Sequence, residues 1–267
     1  MKKKLALILA GTAMAAMVLA GCGEKNNASG EDVKTAESVE DKKTFTVGFD
    51  AEYPPYGYMD ENGEYTGFDL ELAEAVCKLE GWELVKKPLN WDSKDMELNS
   101  GSIDCIWNGF TMNGREDDYT FSTPYVDNSQ VIVVAEKSGI DTLEDLAGKT
   151  VGVQAASAAL DLLKSEEEGG QKKLADTFGA LNEFADYNTA FTELQAGALD
   201  ALAIDVGVAN YQIKSRGEGY KILDETLNTE QYAIGFKKGN QELCDVVNAD
   251  LKKLTEDGTV AKLAEKY

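Results

Sequence analysis

Residues Ile103–Val134 read IDCIWNGFTMNGREDDYTFSTPYVDNSQVIVV. The apolar run Ile103–Trp107 predicts a short strand, Asn108–Arg115 a polar loop, and Gln130–Ala135 a second apolar strand. Arg115 sits in that loop and is one of two arginines, with Arg216, among 26 basic residues. A guanidinium is a planar fork that pairs bidentately with a carboxylate, which a lysine ammonium cannot do. An arginine just past a strand's carboxyl end, among Asn, Thr and Gly, suits an acidic ligand group. The alternative is a solvated loop charge paired with Glu116 or Asp117.

The approach to this stretch has an echo further on. Leu98–Cys105 reads LNSGSIDC and Leu194–Ala201 reads LQAGALDA. Both spell a helix end, a glycine cap, an aspartate and then an apolar strand. Two α/β units of similar construction are expected, one before and one after about residue 130. The first delivers Asn108 and Gly109 past its strand, and the second delivers Asp205. If the units face each other, Arg115 suits a ligand carboxylate and Asp205 a ligand ammonium. Asp205 also reads as the N-cap of a helix from Val206, and the two roles can coexist.

The flanking pattern agrees. Thr44–Phe49 reads as a strand, Asp50–Tyr58 as a stiff loop with two prolines and three tyrosines, and Asn62-Gly63 as a hairpin turn. Phe68–Leu79 has helical spacing, with Phe68, Leu72, Val76 and Leu79 on one face and Gly81 closing it. Trp82–Lys87 is a strand, and a helix opens at Trp91-Asp92-Ser93 and ends near Gly101. The β-α-β-α-β order predicts a parallel sheet. Beyond Ala135, strands are expected at Thr150–Val153, Leu181–Phe184, Asp200–Ile204, Tyr220–Leu223 and Tyr232–Phe236. Helices are expected at Leu143–Leu146, from Gln154 to about Lys164, and at Asn188–Ala196, Val206–Ser215, Glu242–Thr255 and Val260–Lys266.

Composition removes several classes. The 267 residues are 43% hydrophobic, enough for a sizeable core. A net charge of −22 offers no basic stripe for nucleic acid. Histidine is absent, which removes the usual general base and most zinc sites, and no nucleotide-binding glycine motif suggests a cofactor. Lys2–Lys4 followed by the apolar run Leu5–Ala20 reads as a secretory signal peptide over residues 1–21. It ends Leu19-Ala20-Gly21-Cys22, small residues before a cysteine, like a bacterial lipobox with Cys22 as the lipidated residue. Removing 1–21 takes three lysines and no acids, leaving 23 basic against 48 acidic side chains, net −25. Residues 22–43 then hold the lipidated cysteine and a tether almost without apolar residues. Cys77, Cys105 and Cys244 remain, an odd number, with Cys77 and Cys105 in apolar patterns that predict buried thiols.

From Thr44 to Tyr267 the chain resembles the extracytoplasmic solute-binding proteins of amino-acid ABC transporters, the polar amino-acid type. The resemblance rests on Tyr53-Pro54-Pro55-Tyr56, Gly67–Leu70, Gly101–Asp104, Gly109-Phe110-Thr111 with Arg115, Phe121–Tyr125, Leu146–Gln154 and Asp257-Gly258-Thr259, in this order behind a lipobox. It implies an α/β fold, the type II two-lobe periplasmic-binding-protein fold. Each lobe is expected to be a mainly parallel sheet flanked by helices. Lobe 1 is expected over 44–127 plus 232–267 and lobe 2 over 128–231, with hinge segments near 126–131 and 227–233.

By the same resemblance, Arg115 binds the ligand carboxylate, Gly109 and Thr111 help through backbone and hydroxyl, Asp205 binds the α-ammonium and Tyr53 packs over the ligand. The turn Gln154–Ser157 adds backbone contacts at a helix N-terminus. Asp50, Tyr56, Trp91 and Asn108 are the expected side-chain-facing groups, with Asp50 suited to a cationic or polar side chain. Two departures stand out: the Gly109–Arg115 loop is one residue short of the usual pattern, and a Gln-Gly-Thr-Thr type turn appears as Gln154-Ala155-Ala156-Ser157. The expected function is capture of an extracellular polar amino acid and delivery to an ABC permease, without cofactor or metal, as a lipid-anchored monomer outside the bacterial cell membrane. Glutamine, arginine, lysine, histidine and cystine stay open as ligands. The alternatives are a cyclohexadienyl-type dehydratase on the same fold and a ligand-sensing surface lipoprotein.

Overall fold

The computed structural model describes residues 39–217 and 219–267. The signal segment, Cys22 and most of the tether lie outside the described residues. Strands form at β1 (Thr44–Phe49), β2 (Glu52–Tyr53), β3 (Gly57–Met59), β4 (Tyr65–Thr66), β5 (Glu83–Pro88), β6 (Cys105–Ile106) and β7 (Tyr119–Phe121). They continue as β8 (Val126–Ala135), β9 (Thr150–Gln154), β10 (Ala180–Phe184), β11 (Ala201–Asp205), β12 (Tyr220–Ile222), β13 (Asn228–Tyr232) and β14 (Gly235–Lys237). The helices are α1 (Phe68–Glu80), α2 (Lys94–Asn99), α3 (Ala158–Lys164), α4 (Lys172–Ala175), α5 (Tyr187–Ala196), α6 (Val206–Arg216), α7 (Gln241–Glu256) and α8 (Thr259–Lys266).

Two mixed sheets organise two lobes. One has the order β5-β1-β6-β14-β7 and the other β10-β9-β11-β8-β12, with β13 also paired to β8. Each begins with three parallel strands, as the βα repeat requires, and finishes with antiparallel ones. The run Val131–Val134 is apolar at every position because β8 is covered on both faces. Val131 and Val133 join one core with Leu202 and Ile204, while Ile132 and Val134 join another with Val151 and Leu160. Helices α5 and α6 supply Phe191 and Val208 to the first core, and α3 supplies Leu160 and Leu163 to the second. The echo between the lobes holds physically at its caps: Gly101 and Gly197 are both left-handed, at φ 75° and 76°.

Several boundaries differ from the expected ones. The Asp50–Tyr58 loop contains β2 and β3, and β3 and β4 close a hairpin around Asn62-Gly63, where Asp60 accepts from Gly63 N–H at 3.0 Å. Leu79, expected on the buried face of α1, is exposed in the last turn, and the buried arc runs through Leu72, Ala73, Val76 and Cys77. Only Cys105–Ile106 of the expected Ile103–Trp107 strand pairs, and the helix expected from Gln154 begins at Ala158. The expected strand Tyr232–Phe236 is two strands. The chain changes sheets there, with β13 pairing β8 and β14 pairing β6 and β7. The β13 sequence NTEQY lacks an apolar alternation, which hides it from a pattern reading.

Phe191 is fully buried where α5 meets the lobe 2 sheet. Phe191→Ala is expected to cost about 3–5 kcal/mol, read as a lower urea midpoint with an unchanged slope.

Candidate functional site

The chain passes between the sheets twice, through β8 and β13, which pair antiparallel with Gln130 opposite Asn228 and Asn128 opposite Glu230. On its other edge β8 places Gln130 opposite Asp205, the last residue of β11. Side chains two apart share a face of a strand. Register therefore gathers Asn128, Gln130, Asp205, Glu230 and Tyr232 into one buried polar group at the crossing. Asp205 Oδ1 accepts from Asn128 Nδ2 at 2.8 Å, Gln130 Nε2 at 2.7 Å and the Tyr232 hydroxyl at 2.6 Å. Asp205 does stand at the N-cap position of α6, but its side chain makes no cap hydrogen bond. The capping alternative is therefore not the role it plays.

Asp205 lines a narrow pocket together with Tyr53, Trp91, Gly109, Thr111, Arg115, Gln154, Ser157 and Ala158. Eight of the eleven residues expected at the site thus meet on one pocket. Arg115 comes from lobe 1 and Asp205 from lobe 2, so a guanidinium and a carboxylate stand on opposing walls. The Arg115 guanidinium lies over the Phe110 ring at 5.1 Å and sends Nη2 to Asp161 Oδ2 at 2.7 Å, across the cleft on α3. Neither Glu116 nor Asp117, the loop partners considered from sequence, holds that ion pair.

Gly109 reaches the pocket by being glycine. Its φ is +55°, and a Cβ there would stand 3.0 Å from both Tyr53 and Tyr232 rings. Its N–H donates to Asp69 Oδ2 at 2.6 Å, so that donor is committed inside lobe 1 rather than offered to the pocket. The Thr111 hydroxyl donates to Glu230 at 2.8 Å. Ser157 caps α3 by accepting from Leu160 N–H at 3.2 Å and donates to the Gln154 carbonyl at 2.8 Å. Tyr53 packs against Tyr56 and Tyr187, each ring pair 6.0 Å apart.

Three expected residues stand outside this pocket. Asn108 turns inward, accepting from Asp50 N–H at 2.6 Å, because the loop it begins must be tied to the strand end beside it. Tyr56 lies over Gly207 at the start of α6, where any Cβ would collide with it, and meets Tyr232 edge-on at 5.2 Å. Asp50 lines a wider adjoining cleft with Glu52, Trp91, Glu97, Ala185 and Asp186, and Trp91 borders both cavities. Gln154 Nε2 ties Asp50 Oδ2 to lobe 2 at 2.6 Å.

Sequence reading missed Glu230, Asn128 and Gln130, which sit in polar strand segments, and Asp161 and Lys94, which look like ordinary helix surface. Lys94 is buried, and its ammonium reaches the Ala156 carbonyl of the opposite lobe at 3.3 Å; burial holds its pKa below the usual lysine value. A usable signal for Glu230 was its two-residue spacing from Tyr232. Among the described residues no cluster of His, Cys, Asp and Glu is arranged to hold a metal, and no helix is long and apolar enough to cross a membrane. Cys77, Cys105 and Cys244 are unpaired buried thiols, each pushed above its ordinary pKa by burial.

Two α/β lobes joined by two crossing strands, with a polar pocket between them, define a two-lobed binding protein. Residues 45–267 match the model of bacterial extracellular solute-binding proteins, family 3, and the chain belongs to that family. It is 30% identical to the L-cystine-binding protein TcyJ of Escherichia coli, over 95% of this chain and 92% of that one. It is 33% identical to the arginine-binding extracellular protein ArtP of Bacillus subtilis, over 100% and 98%. Among solved structures, an ABC uptake transporter substrate-binding protein of Streptococcus pneumoniae with bound histidine superposes with a TM-score of 0.80 at 33% identity, covering 86% of this chain and 94% of that one. An ancestral amino-acid-binding protein described as a precursor of cyclohexadienyl dehydratase matches with a TM-score of 0.75 at 32% identity, over 84% and 95%.

Burial raises three site carboxyls: Asp50 to about 6, with Asp186 and Glu52 adding to it; Asp69 to about 7; and Asp205 to about 6, with Glu230 next in weight. Each folded pKa lies above its unfolded value. The folded state therefore binds more protons, and stability is full below about pH 4 and falls as pH rises through about 7. The ligand-free protein is expected to melt several degrees higher near pH 5 than near pH 8. Asp69→Asn, whose amide oxygen can still accept from Gly109 N–H, is expected to flatten that dependence in a thermal melt series.

Proposed function

We propose that the protein captures an α-amino acid with a positively charged side-chain end between its lobes and hands it to an ABC permease. The observation that carries this is the opposition of Arg115 and Asp205 across one small pocket. A zwitterion laid between them sends its carboxylate to the guanidinium and its ammonium to Oδ2 of Asp205, the oxygen not enclosed by Asn128, Gln130 and Tyr232. Because these partners sit on different lobes, the ligand bridges them and favours the closed arrangement. Tyr53 covers the ligand backbone, and Trp91 marks the way to the wider cleft. Asp50, Glu52, Glu97 and Asp186 line that cleft, and none of its lining residues is basic. A guanidinium or ammonium placed there relieves the like-charge repulsion that helps raise Asp50.

Relatives named for binding arginine and histidine support this ligand class, and cystine, named for TcyJ, carries an ammonium at its far end beside a second carboxylate. The same relatives support binding rather than turnover as the activity. Cys22 is read as the lipid attachment point that holds the protein at the outer face of the cell membrane, and residues 23–43 as the tether. The protein is read as acting as a monomer, each chain carrying both walls of its pocket.

A thermal-shift panel of the common L-amino acids and L-cystine tests the capture reading. A ligand at about 100 times its Kd adds roughly 2.7 kcal/mol, or on the order of 5–10 °C for a chain of this size. L-Arginine, L-lysine or L-cystine is expected to give the largest shift. Arg115→Ala is expected to abolish it, and Asp50→Asn to move the preference towards neutral side chains. A panel with no shift, after bound ligand is removed by unfolding and refolding, or an unchanged shift in Arg115→Ala, sinks the reading. Prephenate incubated with the protein is expected to remain unchanged in its absorbance. Cys22→Ser is expected to move the protein from the membrane fraction to the medium.

A further inference from the structure

Behind Asp205 stands a second carboxylate that no role above has used. Glu230 is buried, at 4% exposure, and its Oε1 accepts from Asn128 Nδ2, Gln130 Nε2 and the Thr111 hydroxyl, each at 2.8 Å. The same two amide nitrogens also donate to Asp205 Oδ1. Each primary amide has two hydrogens, so each sends one to each carboxylate. The amide oxygens of Asn128 and Gln130 take no protein donor among the described residues, which shows what orients these amides: two acceptors on the same side. Neutral dipoles are all the pair has, since no ion pair reaches either carboxylate among the described residues. Two buried like charges at this spacing cannot both ionise cheaply.

The other groups facing the pair do not relieve it. Tyr232 and Tyr53 on the pocket side, Tyr187 from α5 and Tyr56 from the turn between β2 and β3 are all held well above the ordinary tyrosine pKa by burial, and stay neutral. Arg115 lines the far wall of the pocket and is engaged by Asp161. Glu230 also opens the other way. It lines a second, polar cleft behind the crossing strands with Asn113, Asp127, Asn128, Ser129 and Gln231. A proton on the pair therefore has a route to water that a ligand in the front pocket does not block.

We propose that Glu230 is a positioning residue of the clamp: across the two amides it has in common with Asp205, its carboxylate favours a proton on Asp205 in the empty protein, and the ligand's ammonium takes that proton's place, so that capture releases a proton. Charge balances, since one cation enters the pocket as one leaves by the rear cleft. Burial and the Glu230 charge together push Asp205 up to about 6, which puts the exchange in the mildly acidic range. Affinity then falls below about pH 6, by up to about tenfold per pH unit. The inference rests on the reading in which Asp205 takes the ammonium.

The test is titration calorimetry with the strongest binder among the common L-amino acids and L-cystine, in MES and in phosphate, two buffers of different ionisation heat. The wild type is expected to release a fraction of a proton per ligand near pH 6 and none near pH 8. Glu230→Gln is expected to lose most of the release near pH 6. Asp50, which also titrates in this range, contributes to both proteins and cancels in the difference. Equal release from the two proteins overturns the proposal and leaves the clamp standing. Asp205→Asn binding as tightly as wild type overturns the clamp reading itself, whatever the proton count. In the unsubstituted protein, ¹³C carboxyl shifts give the same answer. Asp205 is expected to titrate near pH 6 when empty and to stop when the ligand is bound, and the absence of that titration overturns the proposal.

Discussion

The molecule depends on the register of one strand. β8 carries Val131–Val134 into the heart of lobe 2, paired with β11, and Val126–Gln130 across to lobe 1, paired with β13. A slip of one residue would turn Asn128 and Gln130 to the wrong face, leaving Asp205 and Glu230 buried without the two amide donors they share. The apolar half makes such a slip costly, because its side chains enter two different cores. Packing in one lobe thus fixes the polar geometry of the site between the lobes.

That polar geometry is expensive. Burying a carboxylate without a cation is tolerated only when several hydrogen bonds meet it. Asp205 has three donors and Glu230 four, two of them shared and one of them Asn228 Nδ2 at 3.4 Å, and Asp69 has the Gly109 amide with the Trp107 indole and Tyr125 phenol beside it. Asp69 is what holds the Gly109–Arg115 loop in its left-handed start, so a buried carboxyl in α1 helps place Arg115 at the pocket. Local strain and unmatched charge are concentrated where a charged ligand would supply the missing partners.

How much of this could be read from sequence follows from the same physics. The two lobes were legible because their helices and parallel strands repeat a pattern of glycine cap, aspartate and apolar strand. Arg115 and Asp205 were legible because each follows a strand of a matching unit. Glu230 was not, because NTEQY has no apolar alternation: β13 is a crossing strand whose buried face is polar by design of the site. The inward turn of Asn108 was hidden for a related reason. Its position past β6 suits a ligand contact, yet the nearest unsatisfied group was the Asp50 amide, and it turned there. Asp161 carries no pattern at all, since a half-turn carboxylate on α3 becomes meaningful only when the lobes face each other.

The contacts between the lobes also decide what can drive closure. Besides Arg115–Asp161, the cleft is crossed by Gln154 to Asp50, Lys94 to the Ala156 carbonyl, Asn188 to Glu52, and the Tyr58–Tyr211 ring pair at 5.7 Å. Asp161 is 64% exposed, and an ion pair with such a partner contributes about 0–1 kcal/mol. The three hydrogen bonds each have an ionisable partner, Asp50, Lys94 or Glu52, and bonds of that kind contribute about 1.5–3 kcal/mol each, against water that satisfies the same groups when the cleft opens. A ligand whose two charged ends bind different lobes would add to these contacts and shift the balance towards the closed arrangement.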